Sequence, residues 1–269
     1  MTEPEAESPY DGPAVTIAYV HSEQVAHSWH HSIVGLIGWD LEHHGRILRG
    51  GYIAMNYGTG GLVEARNQAV EEFLKEDRAD WLLWVDTDMG FLPNAVDRLL
   101  EVADPVARPI VGGLCFSNRF GEQDGVGGFR TVAVPTIYDW AHVDQATGFS
   151  PRWDYPRNTV TRCAGTGSAF LLVHRSVFTR IADQFGRVWY DRFPNSTTGQ
   201  RFGEDLAFCM RAGAVKIPLH VHTGVPTTHL KHFWLGEEQY WKQRAVEPPP
   251  GYEPERDAQA DLERAGGKS

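Results

Sequence analysis

Two carboxylates, Asp86 and Asp88, stand one residue apart at the end of five uninterrupted apolar residues, Trp81 to Val85. Such a run fits a short strand buried on both faces, as in the middle of a mostly parallel sheet. Side chains alternate along a strand, so both carboxylates point the same way as long as strand geometry persists through them. Two like charges repel there, and a divalent cation, which takes oxygen ligands readily, relieves that repulsion. Open α/β sheets bind their ligands beyond the C-terminal ends of such strands. A solvated turn whose acidic residues cap the next helix would be written in the same letters.

A second acidic pair, Glu204-Asp205, opens the stretch Phe202–Gly213. Asp205 is placed to cap a helix with Leu206, Cys209 and Met210 on its buried face and Gly213 at its end. Histidines follow at 220, 222, 229 and 232. His220 and His222 share a face if that segment is a strand, an arrangement open to zinc but weak as a signal. His27, His30 and His31 fall close together at helical spacing and read as a polar helix face rather than a metal site.

The elements that must position these groups alternate in type. Val15–Val20 reads as the first strand, followed by a helix from about Glu23 to His43. Tyr52–Met55 reads as a second strand, followed by a glycine-bearing turn and a helix from about Leu62 to Lys75 with an apolar stripe. The turn is no P-loop, because no Gly-Lys-Ser/Thr follows it. After the acidic strand, Pro93 is set to open a helix, and Ile110–Phe116 reads as another strand. Strands alternating with helices predict a βαβ sheet whose first ~115 residues form a nucleotide-binding half.

Residues 117–160 are less regular. Gly121, Gly125, Gly127 and Gly128 suggest a mobile loop, Thr131–Tyr138 a strand, and Trp140, Trp153 and Tyr155 are aromatics in a polar setting. Small residues from Cys163 to Ala169 then lead into an apolar strand and a helix opening at Arg175.

Composition narrows the function classes. The chain has 269 residues, 42% of them hydrophobic, and a formal net charge of −10, which speaks against a nucleic-acid partner. An acidic protein still binds a diphosphate when a metal supplies the positive charge. No apolar run reaches the ~20 residues that span a bilayer. The acidic N-terminus lacks a secretory pattern, so a cytoplasmic location is expected. Cys115, Cys163 and Cys209 are widely spaced and read as reduced, packed thiols. Residues 1–13 and 246–269 are polar and read as flexible tails around a single domain over 14–245.

Asp86-Thr87-Asp88 after an apolar strand resembles the DxD motif of GT-A glycosyltransferases of the family-2 type. Arg66-Asn67 early in a helix, the glycine-rich segment before a strand, and Glu204-Asp205 followed by Arg211 and Gly213 resemble further parts of that family in the same order. The resemblance covers about residues 15–235, although the first strand lacks the family's usual Pro-x-Tyr-Asn. It implies an α/β GT-A fold with a central, mostly parallel sheet flanked by helices. It also implies transfer of a sugar from a UDP- or GDP-linked nucleotide donor to an acceptor hydroxyl, with a protein, a glycan or a small molecule as acceptor. On this resemblance Asp86, Asp88 and His229 hold Mn²⁺ or Mg²⁺, with His222 and His232 as second and third choices for the histidine. Arg66, Asn67, Asp86, Gly165, Thr166 and Gly167 lie near the donor. Asp205 acts as catalytic base, supported by Glu204, and the reaction inverts, with retention as the alternative because some retaining GT-A enzymes also have DxD and a late histidine. A metal-dependent nucleotidyltransferase or hydrolase, or a non-catalytic nucleotide-sugar-binding domain, would use the same acidic sheet edge.

Overall fold

The computed structural model describes residues 12–58, 60–123, 128–143 and 146–232. The expected tails lie outside these residues except for Gly12 and Pro13, as do Gly125 and Gly127 of the expected mobile loop. The chain divides into two compact units, residues 1–117 with 134–231, and residues 118–133 with 232–269.

The first half builds β1 (Val15–His21), α1 (His27–His43), α2 (Arg46–Gly50), β2 (Tyr52–Asn56), α3 (Gly61–Lys75), β3 (Trp81–Val85), a short β4 (Met89–Gly90), α4 (Ala95–Leu100) and β5 (Ile110–Leu114). A two-stranded ribbon follows, β6 (Phe116–Gln123) with β7 (Gly128–Pro135). Then come β8 (Ile137–Val143), β9 (Ala146–Pro151), β10 (Val160–Cys163), β11 (Gly165–Thr166), β12 (Phe170–His174), α5 (Arg175–Phe185), α6 (Glu204–Ala214), β13 (Leu219–Pro226) and β14 (Thr228–His229).

Seven strands form the central sheet in the order β10-β13-β5-β12-β3-β1-β2. β12 and β10 run against the other five. The apolar run of β3 sits at the middle, between β1 and β12, and all five of its side chains are buried. Period-two alternation sends them to opposite faces. Leu82 and Trp84 join one core with Ala69 and Phe73 of α3, Phe178 of α5 and Phe208 of α6. Trp81, Leu83 and Val85 join the other with Trp29 and Leu36 of α1, Ile47 of α2 and Leu99 of α4. Burying one such side chain contributes about 1.5–3 kcal/mol, so two full cores clamp the acidic end of β3 in place.

The structure adjusts several boundaries for local reasons. α1 begins at His27 rather than near Glu23, because the amide of Ala26 donates to Thr87 O at 2.9 Å and holds the chain extended before the helix. Pro93 lies ahead of α4 instead of opening it; a turn closed by Ala95 N to Leu92 O comes first. The strand expected over Thr131–Tyr138 is two strands, broken where the amide and hydroxyl of Thr136 both donate to Cys115 O. All three cysteines are free and buried.

Candidate functional site

The strand geometry of β3 ends at Val85. Asp86 to Met89 form a turn closed by Met89 N donating to Asp86 O at 3.1 Å, so strand alternation does not govern the two carboxylates. They face different partners.

Asp88 faces the end of the chain's last sheet strand. β13 pairs with β5 and carries an irregularity between His222 and Pro226, after which the chain turns into β14. β14 pairs antiparallel with β4, Thr228 opposite Gly90 and His229 opposite Met89, and Leu230 N donates to Asp88 O at 2.9 Å. This register brings His229 Nε2 to 3.0 Å from Asp88 Oδ2. The other ring nitrogen, Nδ1, lies 2.8 Å from Phe116 O. A carbonyl only accepts, so Nδ1 donates to it, and Nε2 is the ring atom turned toward the carboxylate. The Lys231 ammonium donates to Asp88 Oδ2 at 3.2 Å and also lies against Nε2. Burial alone would push Asp88 up. The hydrogen bond and charge of His229, with the Lys231 ammonium, outweigh it and hold Asp88 below its ordinary range.

Among the described residues no cluster of three or more His, Cys, Asp or Glu side chains is assembled as a metal site. The Asp88–His229 pair nevertheless fits a divalent cation. It presents one hard oxygen and one oriented imidazole nitrogen, and the Lys231 ammonium that now contacts both atoms has to move aside for an ion to enter. Mg²⁺-type ions commonly take one or two protein carboxylates and complete their shell with water and phosphate. The orienting carbonyl of Phe116 is the kind of outer partner that metal-ligating histidines use.

Asp86 faces the other way, toward a buried guanidinium. Arg66, on α3 and 1% exposed, places Nη2 2.9 Å from Asp86 Oδ1 and 3.8 Å from Asp205 Oδ1. Its guanidinium lies 5.0 Å from the Trp84 ring and 5.5 Å from the Tyr190 ring. Burial opposes its charge, but Asp86 and Asp205 keep it firmly protonated.

Asp205 is expected to cap α6, but Gly203 occupies the cap and Asp205 lies two residues further on, in the first turn. The helix also differs from expectation in its buried face, which includes Glu204, Ala207, Phe208 and Arg211, and in its end, since Gly213 lies inside it. Burial raises the Asp205 carboxyl most. Arg66 opposes that rise, Glu204 and Asp86 add to it, and the balance stands at about 6. Its side chain is 28% exposed, yet Oδ1 is buried with no hydrogen-bond partner. The same is true of Arg66 Nε and Nη1, Trp84 Nε1, Ser168 Oγ and Tyr190 Oη. Buried polar groups are nearly always paired, and a concentration of unpaired ones is where a functional site is expected. Glu204 is buried beside Asp205, with Arg192 Nη2 at 3.8 Å from Oε2.

The remaining expected residues separate. Gly167 borders Asp205: a Cβ there would lie 3.7 Å from Oδ2. Gly165 and Thr166 are buried. A Cβ on Gly165 would lie 2.7 Å from the Phe149 ring and 3.1 Å from Leu206, so packing alone demands glycine there. Asn67 gives its amide to the backbone: Oδ1 accepts from Trp189 N and Tyr190 N, and Nδ2 donates to Tyr190 O, each at 2.9 Å. It thereby holds Tyr190 against Arg66. His222 lies within β13, where Nδ1 accepts from Gly224 N at 3.1 Å, and burial lowers its pKa. His232 belongs to the second compact unit. His27 and His31 stack on the exposed face of α1.

Ser168 and Tyr190 escaped the sequence reading. Ser168 adjoins the glycine segment and could have been included with it. Tyr190 sits in an irregular stretch with no pattern to mark it.

The sequence matches no protein-family model and no curated protein. Solved structures do resemble it. GalNAc-T7, a GT-A glycosyltransferase solved with UDP, GalNAc and Mn²⁺, superposes with a TM-score of 0.52 over 87% of this chain at 12% identity. The match covers 47% of that protein, so this chain spans about half the length of GalNAc-T7. A197 from STIV gives a TM-score of 0.45 at 13% identity over 81% of this chain and 86% of its own. With its seven-stranded, mostly parallel sheet flanked by helices, the chain has a glycosyltransferase-like GT-A fold.

Proposed function

We propose that this chain is a metal-dependent glycosyltransferase that moves a sugar from a UDP- or GDP-linked donor to an acceptor hydroxyl with inversion. The observation that carries the reading is the buried Arg66, which faces Asp86 of the DxD turn with one edge and Asp205 with the same nitrogen. It ties the turn that ends β3 to a carboxylate held near neutrality on α6. GalNAc-T7, of the same fold, was solved with UDP, GalNAc and Mn²⁺, and these components are carried over here as part of the proposal.

Asp88 and His229, with Asp86 directly or through water, would hold Mn²⁺ or Mg²⁺. When bound, the ion neutralises negative charge on the leaving diphosphate. Asp205 takes the proton of the acceptor hydroxyl as that oxygen bonds to the anomeric carbon and the bond to the diphosphate breaks on the opposite face. A single displacement of this kind inverts the anomeric centre. A base with pKa near 6 is ionised at neutral pH yet still basic enough to accept a proton, which an ordinary aspartate near 3.8 does poorly. Arg66 holds Asp205 in place from behind, Glu204 raises its basicity, and Gly167 leaves room beside it. Asn67 acts one step back by fixing Tyr190 over Arg66.

Calorimetric titration of nucleotide-sugars with Mn²⁺, with Mg²⁺ and with EDTA, on wild type and Asp88→Ala, tests this. The expected result is binding of one nucleotide-sugar that needs the ion and weakens at least about tenfold in the variant. Tight binding indifferent to both EDTA and the substitution would remove the metal role. Absence of binding across UDP- and GDP-sugars would overturn the donor class.

A further inference from the structure

A cavity of about 300 Å³ lies between the β8–β9 hairpin, the segment 195–202 and the first turn of α6. Leu206, the residue after Asp205, forms part of its wall. Phe149 and Phe202 supply two aromatic faces, their rings 5.7 Å apart and nearly perpendicular. Trp140 packs on both, 5.0 Å from Phe149 and 6.2 Å from Phe202, and is 45% exposed.

The cavity is built before any ligand arrives. Asn195 is its latch: Nδ2 donates to Thr147 O at 3.0 Å, and Oδ1 accepts from Thr197 N and Thr198 N. Asn195 N donates to Gln200 O and Gly199 N to Asn195 O, so the segment closes on itself and onto β9. Gly199 makes the tight return at φ +71°. Phe202 N donates to Phe193 O. Every one of these bonds uses backbone or the Asn195 amide. The side chains of Ser150, Gln200 and Arg201, which also line the cavity, have no hydrogen-bond partner among the described residues.

We propose that this cavity seats a pyranose ring as the acceptor, so that the acceptor is a glycan or glycoside. The proposal rests on the transferase reading of Asp205. A pyranose has one apolar C–H face and a rim of hydroxyls. Aromatic faces with unspent hydroxyl, amide and guanidinium donors around them match both parts, and pockets of this size with a few placed polar groups are typical small-ligand sites. A peptide acceptor would call for backbone partners along an extended edge, whereas the backbone of the segment 195–202 is bonded to itself and Asn195 already takes Thr147 O of β9. Leu206 of the cavity wall and Asp205 are consecutive in the first turn of α6, and on this proposal an acceptor hydroxyl reaches from the seated ring to Asp205.

The test needs no donor. Methyl glycosides of glucose, galactose, mannose, xylose and N-acetylglucosamine are titrated into the full chain and followed by saturation-transfer NMR and calorimetry. The variants are Phe202→Ala, which removes an aromatic face, and Gln200→Ala/Arg201→Ala, which trims exposed side chains and spares the fold if Phe202→Ala does not. Expected is binding of at least one glycoside through its ring C–H face. The double variant weakens it about tenfold or more, while Asp205→Asn leaves it within about twofold. No glycoside binding at about 10 mM, where even weak sites fill, overturns the proposal. Binding that the double variant leaves unchanged overturns it too, as does a Ser/Thr peptide that binds in the glycosides' place. Failure of the nucleotide-sugar titration is read separately: glycoside binding with no donor binding removes the acceptor role and the transferase reading together.

Discussion

Asp40 and Asp205 both bring a carboxylate to the start of a helix, and the two are used in opposite ways. Asp40, near the end of α1 and 6% exposed, accepts from the amides of Arg46 at 2.7 Å, Ile47 at 2.9 Å and Leu48 at 3.0 Å. It satisfies the first turn of α2, which would otherwise bury unpaired N–H groups. Asp205 lies in the first turn of α6, where the helix dipole favours negative charge, yet its Oδ1 has no hydrogen-bond partner. The lone pairs of Asp40 are spent on the fold, whereas Oδ1 of Asp205 accepts no hydrogen bond. Burial near Asp86 and Glu204 then lifts Asp205 toward neutrality. The comparison teaches how to tell a structural acid from a reactive one: position at a helix start does not separate them, and the count of satisfied lone pairs does.

Four substitutions or titrations sharpen or break that contrast. The largest effect is expected for Asp205→Asn, which removes the proposed general base and should cut turnover by about 10²–10⁴-fold. Its thermal midpoint at neutral pH should match or exceed wild type, because Arg66 keeps Asp86 as its partner at 2.9 Å; a large loss of stability would make Asp205 a structural acid like Asp40.

Asp40→Ala should behave in reverse. Three buried amides lose their charged acceptor, and a denaturant midpoint should report a loss of about 3 kcal/mol. Turnover per folded molecule should stay within about twofold, since no part of the site touches Asp40.

The third test is pH. Asp205 works as a base only when ionised, so kcat/KM should fall with unit slope as pH drops below about 6. Stability moves the other way. The folded pKa stands above the ordinary 3.8, so the contribution of Asp205 is present below that value and is lost as pH rises through about 6. The stability gap between Asp205→Asn and wild type should therefore widen in favour of the variant over that window. A gap that is constant with pH would contradict the raised pKa.

The smallest effect on chemistry is expected for Asn67→Ala. It frees the Trp189–Tyr190 backbone and should cost about 1–3 kcal/mol of stability, with a rise in donor KM of no more than about threefold. A KM effect that exceeds the stability effect would instead put Asn67 in contact with the donor.

Much of this site is written in local pattern. The run Trp81–Val85 identifies the central strand because its unbroken apolar stretch feeds two cores at once, and Glu204-Asp205 announces a helix start. His229 was selected by order along the chain, and the structure brings it to Asp88 across a separation of 141 residues. What local pattern does not carry is the turn at Asp86–Met89, which sends the two carboxylates of the motif to different partners. Strand alternation was the wrong rule there because the backbone had already left the sheet. Nor could spacing tell Gly165, enclosed by Phe149 and Leu206, from Gly167 beside Asp205, since both are glycines in one segment and only packing separates them. The Arg66–Asp205 contact and the cavity around Phe149 and Phe202 join distant segments through topology, and no window along the sequence contains them.

The most direct test of the account is the release of nucleoside diphosphate from the nucleotide-sugar that binds, measured with Mn²⁺ and a glycoside acceptor for wild type and Asp205→Asn, with donor affinity determined for both. The account predicts turnover in wild type and a loss of about 10²-fold or more in the variant at unchanged donor affinity. Equal turnover in the two proteins would contradict it.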